Sequence, residues 1–171
     1  MKKSTLLKAG LFFVFALLFS TASFAQGKPV PSPRDSVSAK INGATITINY
    51  GSPSVKGRKI YGELVPYDKV WRTGANQATT FTTTKDIMVE GKKLAAGTYG
   101  FFAIPTATNW TVIFNKVANQ WGAFKYDESQ DALRVTVKPV KAPKQERLVY
   151  KINSKGFSLN WDELSVPVKI K

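Results

Sequence analysis

Five side chains within residues 58–76, namely Arg58, Tyr61, Trp71, Arg72 and Asn76, are of the types that small polar-ligand pockets use. A guanidinium donates in a planar fork that matches a carboxylate or phosphate. An aromatic face stacks on a ring, and an Asn amide both donates and accepts. Gly51, Gly57, Gly62 and Gly74 let the backbone turn tightly around this set. The stretch "VPYDKVWRTGANQATTF" (65–81) therefore carries two compatible expectations. One is a site for a small anionic or sugar-like ligand, with Arg58 and Arg72 as charge anchors, Tyr61 and Trp71 as stacking surfaces and Asn76 orienting polar groups. The other is an apolar plug, in which Tyr61, Leu64, Val65, Pro66, Tyr67, Val70 and Trp71 close a β-fold while the two arginines hold loop carbonyls and Asp68.

Elsewhere the chemistry is bounded by absences. The chain has no His and no Cys, which removes Ser-His-Asp and Cys-His nucleophile systems, thiolate chemistry, disulfides and ordinary zinc or copper sites. Neither a GxxxxGK[ST] loop nor a GxGxxG motif occurs, so no nucleotide site and no cofactor is expected. Two carboxylates alone can hydrolyse a glycoside, and Glu63 with Asp162 is the pair that this alternative, a carboxylate-dependent hydrolase or lyase, would use. Asp127, Glu128 and Asp131 in "YDESQDAL" group oxygen ligands of the kind Ca²⁺ takes, without the Gly and spacing of an EF-hand loop.

The elements that must position these residues begin with a leader. Lys2, Lys3 and Lys8 precede an apolar run from Ala9 to Phe19 and a Ser23-Phe24-Ala25 ending. This is the pattern of a secretory signal peptide over residues 1–25, cleaved near Ala25, with residues 26–171 as one periplasmic or secreted domain. The run is too short for a retained transmembrane segment. Removing those three lysines leaves 22 basic against 11 acidic residues. That surplus favours anionic partners, and export makes nucleic acid an unsuitable one, leaving acidic glycans, small anions or an anionic envelope surface. Lys138, Lys151, Lys169 and Lys171 alternate with apolar residues, which suits the wet face of a sheet; docking through that basic face is a third functional alternative.

Period-two alternation recurs along the mature chain. Ile46, Ile48 and Tyr50 share one face, as do Val37, Ala39 and Ile41; Trp110, Val112 and Phe114; Leu133, Val135 and Val137; Leu148, Tyr150 and Ile152; Phe157, Leu159 and Trp161; and Val166, Val168 and Ile170. Turn signals separate these runs. About ten short strands in a single antiparallel, jelly-roll-like β-sandwich result, with residues 51–77 as one long structured loop and a closed barrel as the alternative. "GTYGFFAIP" (97–105) is apolar on both faces, so it is central, and the long loop is expected to cover its second face. Pro167 places the last strand at an edge.

Four segments carry a family resemblance: "SPR" (32–34), "NYGSPSVKGRKIYGELVPYDKVWRTGANQATTF" (49–81), "KKLAAGTYGFFAIP" (92–105) and "NWTVIFNK" (109–116). Together they resemble the bacterial exported family catalogued as domain of unknown function 2911. The resemblance implies export and a single, mostly β domain, and supplies no activity or catalytic residue to carry over.

Overall fold

The apolar stripes and the two-faced 97–105 run fall in seven of the ten strands of the computed structural model, which describes residues 31–171; the expected leader and its cleavage point lie outside the described residues. The strands are β1 (Arg34–Ile41), β2 (Ala44–Gly51), β3 (Thr79–Thr83), β4 (Ile87–Val89), β5 (Lys92–Leu94), β6 (Gly97–Pro105), β7 (Trp110–Asn115), β8 (Asp131–Val137), β9 (Val140–Asn153) and β10 (Gly156–Lys169). Six of them form one antiparallel sheet in the order β1-β2-β3-β6-β7-β8. β9 pairs with β10 as a long hairpin and β4 with β5 as a short one. The two hairpins meet where Val89 bridges Ile170 and the backbones of Met88 and Lys171 exchange hydrogen bonds of 2.8 and 2.9 Å. Among the described residues no sheet closes on itself, so the fold is a sandwich and not a barrel. Among the described residues no helix is long and apolar enough to cross a membrane.

The alternation does the packing. In β2, Ile46, Ile48 and Tyr50 are buried while Thr45, Thr47 and Asn49 are half covered. Inward rings from the six-stranded sheet meet those of the long hairpin, with Phe81 and Phe101 at 5.4 and 5.5 Å from Phe157 and Tyr50 at 4.7 Å from Tyr150. Edge and tilted contacts of this kind add to what area burial alone contributes.

Two details differ from the periodic reading. The stripes Phe157-Leu159-Trp161 and Val166-Val168-Ile170 are the two arms of one element, because β10 shifts register on either side of Asp162, whose φ is 54°. Its end returns to its start: Ile170 N–H donates to Lys155 O at 2.9 Å, and a Cβ on Gly156 would lie 2.0 Å from Val168 O. Pro167 falls beyond the last pairing with β9, Ser165 with Val140, where the ladder asks for no donor.

The second correction concerns β6. Phe102 and Ile104 do face a second apolar cluster, yet Ala123 and Tyr126 cover it, together with Ile113, Ala78 and, from the long loop, only Val70. The Tyr126 ring meets Phe102 edge-on at 5.3 Å. The long loop is unavailable for that face because its buried side chains Val55, Ile60, Val65 and Trp71 belong to the main core.

Candidate functional site

Residues 52–78 leave β2 and return to β3, its neighbour in the six-stranded sheet, bonding on the way to β9 of the long hairpin and to β6. Along β9, Leu148 N–H donates to Pro53 O at 2.9 Å, Val55 N–H to Glu146 O at 2.8 Å and Arg147 Nη1 to Ser52 O at 3.1 Å. At β6, Trp71 pairs both backbone groups with Ala103, at 2.8 and 2.9 Å, and Asp68 N–H donates to Pro105 O at 2.9 Å. β3 pairs only with Gly97 to Phe101 of β6, which leaves that edge of β6 unpaired from Ala103 onward; Trp71 and Asp68 fill it. Unpaired ladder groups inside a fold are costly, so the apparent loop is half sheet. Its return depends on a close approach: a Cβ on Gly51 would sit 2.1 Å from Ala75 O.

Thr73 lies where these constraints meet. It is fully buried with φ 53°, a left-handed conformation that β-branched residues avoid. Its hydroxyl donates to Phe101 O at 2.9 Å, and its carbonyl accepts from Tyr150 Oη at 2.8 Å and Thr79 Oγ1 at 3.1 Å. Backbone strain held this firmly fixes the direction of its neighbour, Arg72.

Beside it opens a pocket of about 270 Å³ lined by Ser32, Arg58, Trp71, Arg72, Asn76 and Trp161, among others. Among the described residues Arg72 Nε is buried and has no hydrogen-bond partner, and burial holds the guanidinium below its usual pKa. Among the described residues its charge has no carboxylate within ion-pair reach. Trp161, 1% exposed, has an indole N–H that is equally without a partner among the described residues. A buried donor left unsatisfied costs about 1–3 kcal/mol, so two on one pocket is a specific departure from ordinary packing.

The other expected residues divide. Arg58 lines the pocket but donates Nε to Val55 O at 3.0 Å and Nη2 to Ser54 O, holding the carbonyls of its own turn as the plug reading requires. Asn76, with φ 65°, donates Nδ2 to Ser32 O at 3.4 Å across the pocket's rim. Trp71 is buried, its ring parallel within 17° to Trp161 at 6.0 Å and edge-on to Trp110 at 6.0 Å, so it contributes a wall and not a free stacking face. Tyr61 lies outside the pocket. Its bridge to Val65 turns it inward against Trp110 and Trp161, its hydroxyl donates to Trp161 O at 3.3 Å, and burial pushes its phenol well above the ordinary value.

The carboxylate candidates sit elsewhere. Glu63 is exposed and pairs with Lys59 at 3.1 Å, and Asp162 occupies the bend of β10; neither lines the Arg72 pocket. Asp127 caps a 3-10 turn (Glu128–Gln130) by accepting from Ser129 N–H at 2.9 Å. Asp131 accepts from Tyr126 Oη and Arg134 Nε, both at 2.6 Å, and from Asn115 Nδ2 at 2.8 Å, while Glu128 meets Arg134 Nη1 at 2.9 Å. Each of the three carboxylates thus meets at least one of the protein's own donors. No group of three or more acidic side chains suited to a metal occurs among the described residues.

Periodic reading singled out neither the unpartnered indole N–H of Trp161 nor the segment 117–124. The signal for the second was present: "VANQWGAF" sets a Trp between amides and a Gly, outside every stripe.

Fold and pocket together define an all-β antiparallel sandwich whose two sheets are joined by a pocket-bearing loop. The chain belongs to the family described as "Protein of unknown function (DUF2911)", whose family model matches residues 32–170. No curated protein and no solved structure matches it.

Proposed function

We propose that this protein is an exported binding module that takes a small oxyanion, a carboxylate or phosphate, into the Arg72 pocket. The observation that carries the reading is that Arg72 and Trp161, which line one pocket, each hold a buried donor, Nε and Nε1, with no partner among the described residues. An oxyanion supplies both acceptor oxygens and the countercharge that Arg72 lacks among the described residues. Asn76 at the rim adds an amide for a second polar group, and Trp71 with Leu64 and Val65 supplies apolar wall. Arg58 belongs to the scaffold of the pocket, its fork spent on Val55 and Ser54. Location outside the cytoplasm, read from residues 1–25, is part of the proposal and suits capture of a soluble nutrient or envelope-derived anion.

Thermal unfolding against organic acids, inorganic phosphate, phosphate esters, sugars and Ca²⁺ tests it. A ligand at 100 times its dissociation constant adds about 2.7 kcal/mol of stability. The expected result is stabilisation by one anionic class, lost in a folded Arg72→Lys variant that keeps the charge but not the fork. Failure of every acid and phosphate to stabilise the wild type removes the reading.

A further inference from the structure

We propose a second and separate binding site, for carbohydrate, built on Trp121. Of the four tryptophans, Trp71, Trp110 and Trp161 are 8, 1 and 1% exposed, whereas Trp121 is 63% exposed, with Phe124 nearby in sequence at 85%. Trp121 is nevertheless held in place. It forms a backbone bridge with Gln77, flanked by Ala78 N–H donating to Gln120 O at 3.0 Å and Gly122 N–H donating to Asn76 O at 3.1 Å. A large ring left in water on a backbone held this way is a binding surface more readily than a packing residue.

Its surroundings say what it binds. Trp121 lines a pocket of about 260 Å³ with Arg34, Gln77, Thr80, Asn119 and Gln120. Gln120 donates Nε2 to Val117 O at 2.9 Å, and its Oε1 is buried without a donor among the described residues. The amides of Gln77 and Asn119 are exposed at the pocket and free to reorient toward a ligand. Planar groups that donate and accept, set round a flat apolar ring, complement a pyranose, which offers a C–H face for the indole and a rim of hydroxyls for the amides. A purely apolar partner would leave these amides and Arg34 desolvated and unpaired. Arg34 at the margin adds affinity for a carboxylated sugar.

Acrylamide quenching reads the site directly, because the other three tryptophans are buried. The probes are chitohexaose, which is neutral, and a galacturonic acid hexamer, which is acidic. At least one is expected to protect Trp121 saturably, and Gln77→Ala with Asn119→Ala, both exposed positions, is expected to weaken association roughly tenfold or more while the melting temperature stays at the wild-type value. Trp121→Ala, followed by calorimetry, should lose binding altogether. Arg72→Lys should bind the saccharide as wild type does, which separates this site from the anion pocket. Unchanged quenching with both hexamers overturns the proposal. So does protection that grows with protein concentration in the absence of saccharide, which would make Trp121 a contact between copies of the chain.

Discussion

At the scale of single residues, two arginines that look alike in sequence have opposite fates. Arg58 gives its fork to the carbonyls of Ser54 and Val55, whereas Arg72, which shares its pocket with Trp161, keeps an Nε without a partner among the described residues. Arg72→Met, similar in length and free of the charge, should therefore make the unliganded protein more stable by about 1 kcal/mol and remove stabilisation by anions. Urea unfolding with and without ligand measures both, and a loss of stability in the unliganded variant would mean that Arg72 braces the loop. Arg58→Ala should destabilise by about 1 kcal/mol through the two lost hydrogen bonds, checked the same way. Sequence made Arg58, Trp71, Arg72 and Asn76 legible as a group, and all four line one pocket. It misplaced Tyr61, because which way an aromatic turns is decided by a backbone bridge to Val65 that no spacing reveals.

At the scale of elements, alternation found the longer strands, since a stripe such as Ile46-Ile48-Tyr50 has one workable face, but not β3, β4 or β5, which run for only five, three and three residues. It could not find what covers Phe102 and Ile104, because Ala123 and Tyr126 come from a segment with no period. Nor could it show the bend at Asp162, a left-handed backbone in a non-glycine residue. The long loop is an element in its own right, anchored to β9 at Val55 and to β6 at Trp71. Trp71→Ala should cost about 3–5 kcal/mol, the range for emptying a buried aromatic site, and guanidinium unfolding would measure it. A cost below about 1 kcal/mol, the size of a surface change, would show that the ring is not part of the core.

At the scale of the whole molecule, composition sets the response to pH. With no His or Cys, no side chain has its ordinary pKa between about 5 and 8, so stability should be nearly flat there. The alkaline limb differs. Burial, with Asp35 adding, pushes Tyr50 up to about 12, and burial, with the Asp131 hydrogen bond adding, does the same for Tyr126. Tyr61 and Tyr150 are raised as well, burial leading in both. Unfolded tyrosines lose their protons near pH 10 while these folded ones keep theirs. Their contribution is therefore whole below about pH 10 and falls as pH rises through about 12. A urea midpoint that stays level from about pH 10 to 12 would contradict this. The same loop that shapes the Arg72 pocket is also a suture between the two sheets, stitched at Glu146 on one side and Ala103 on the other. Neither sheet can slide without tearing it. An anion that tightens the stitch should slow amide hydrogen exchange at both Val55 and Ala103, although 48 positions of sequence separate them, so a local ligand would be felt as stiffening of the entire sandwich.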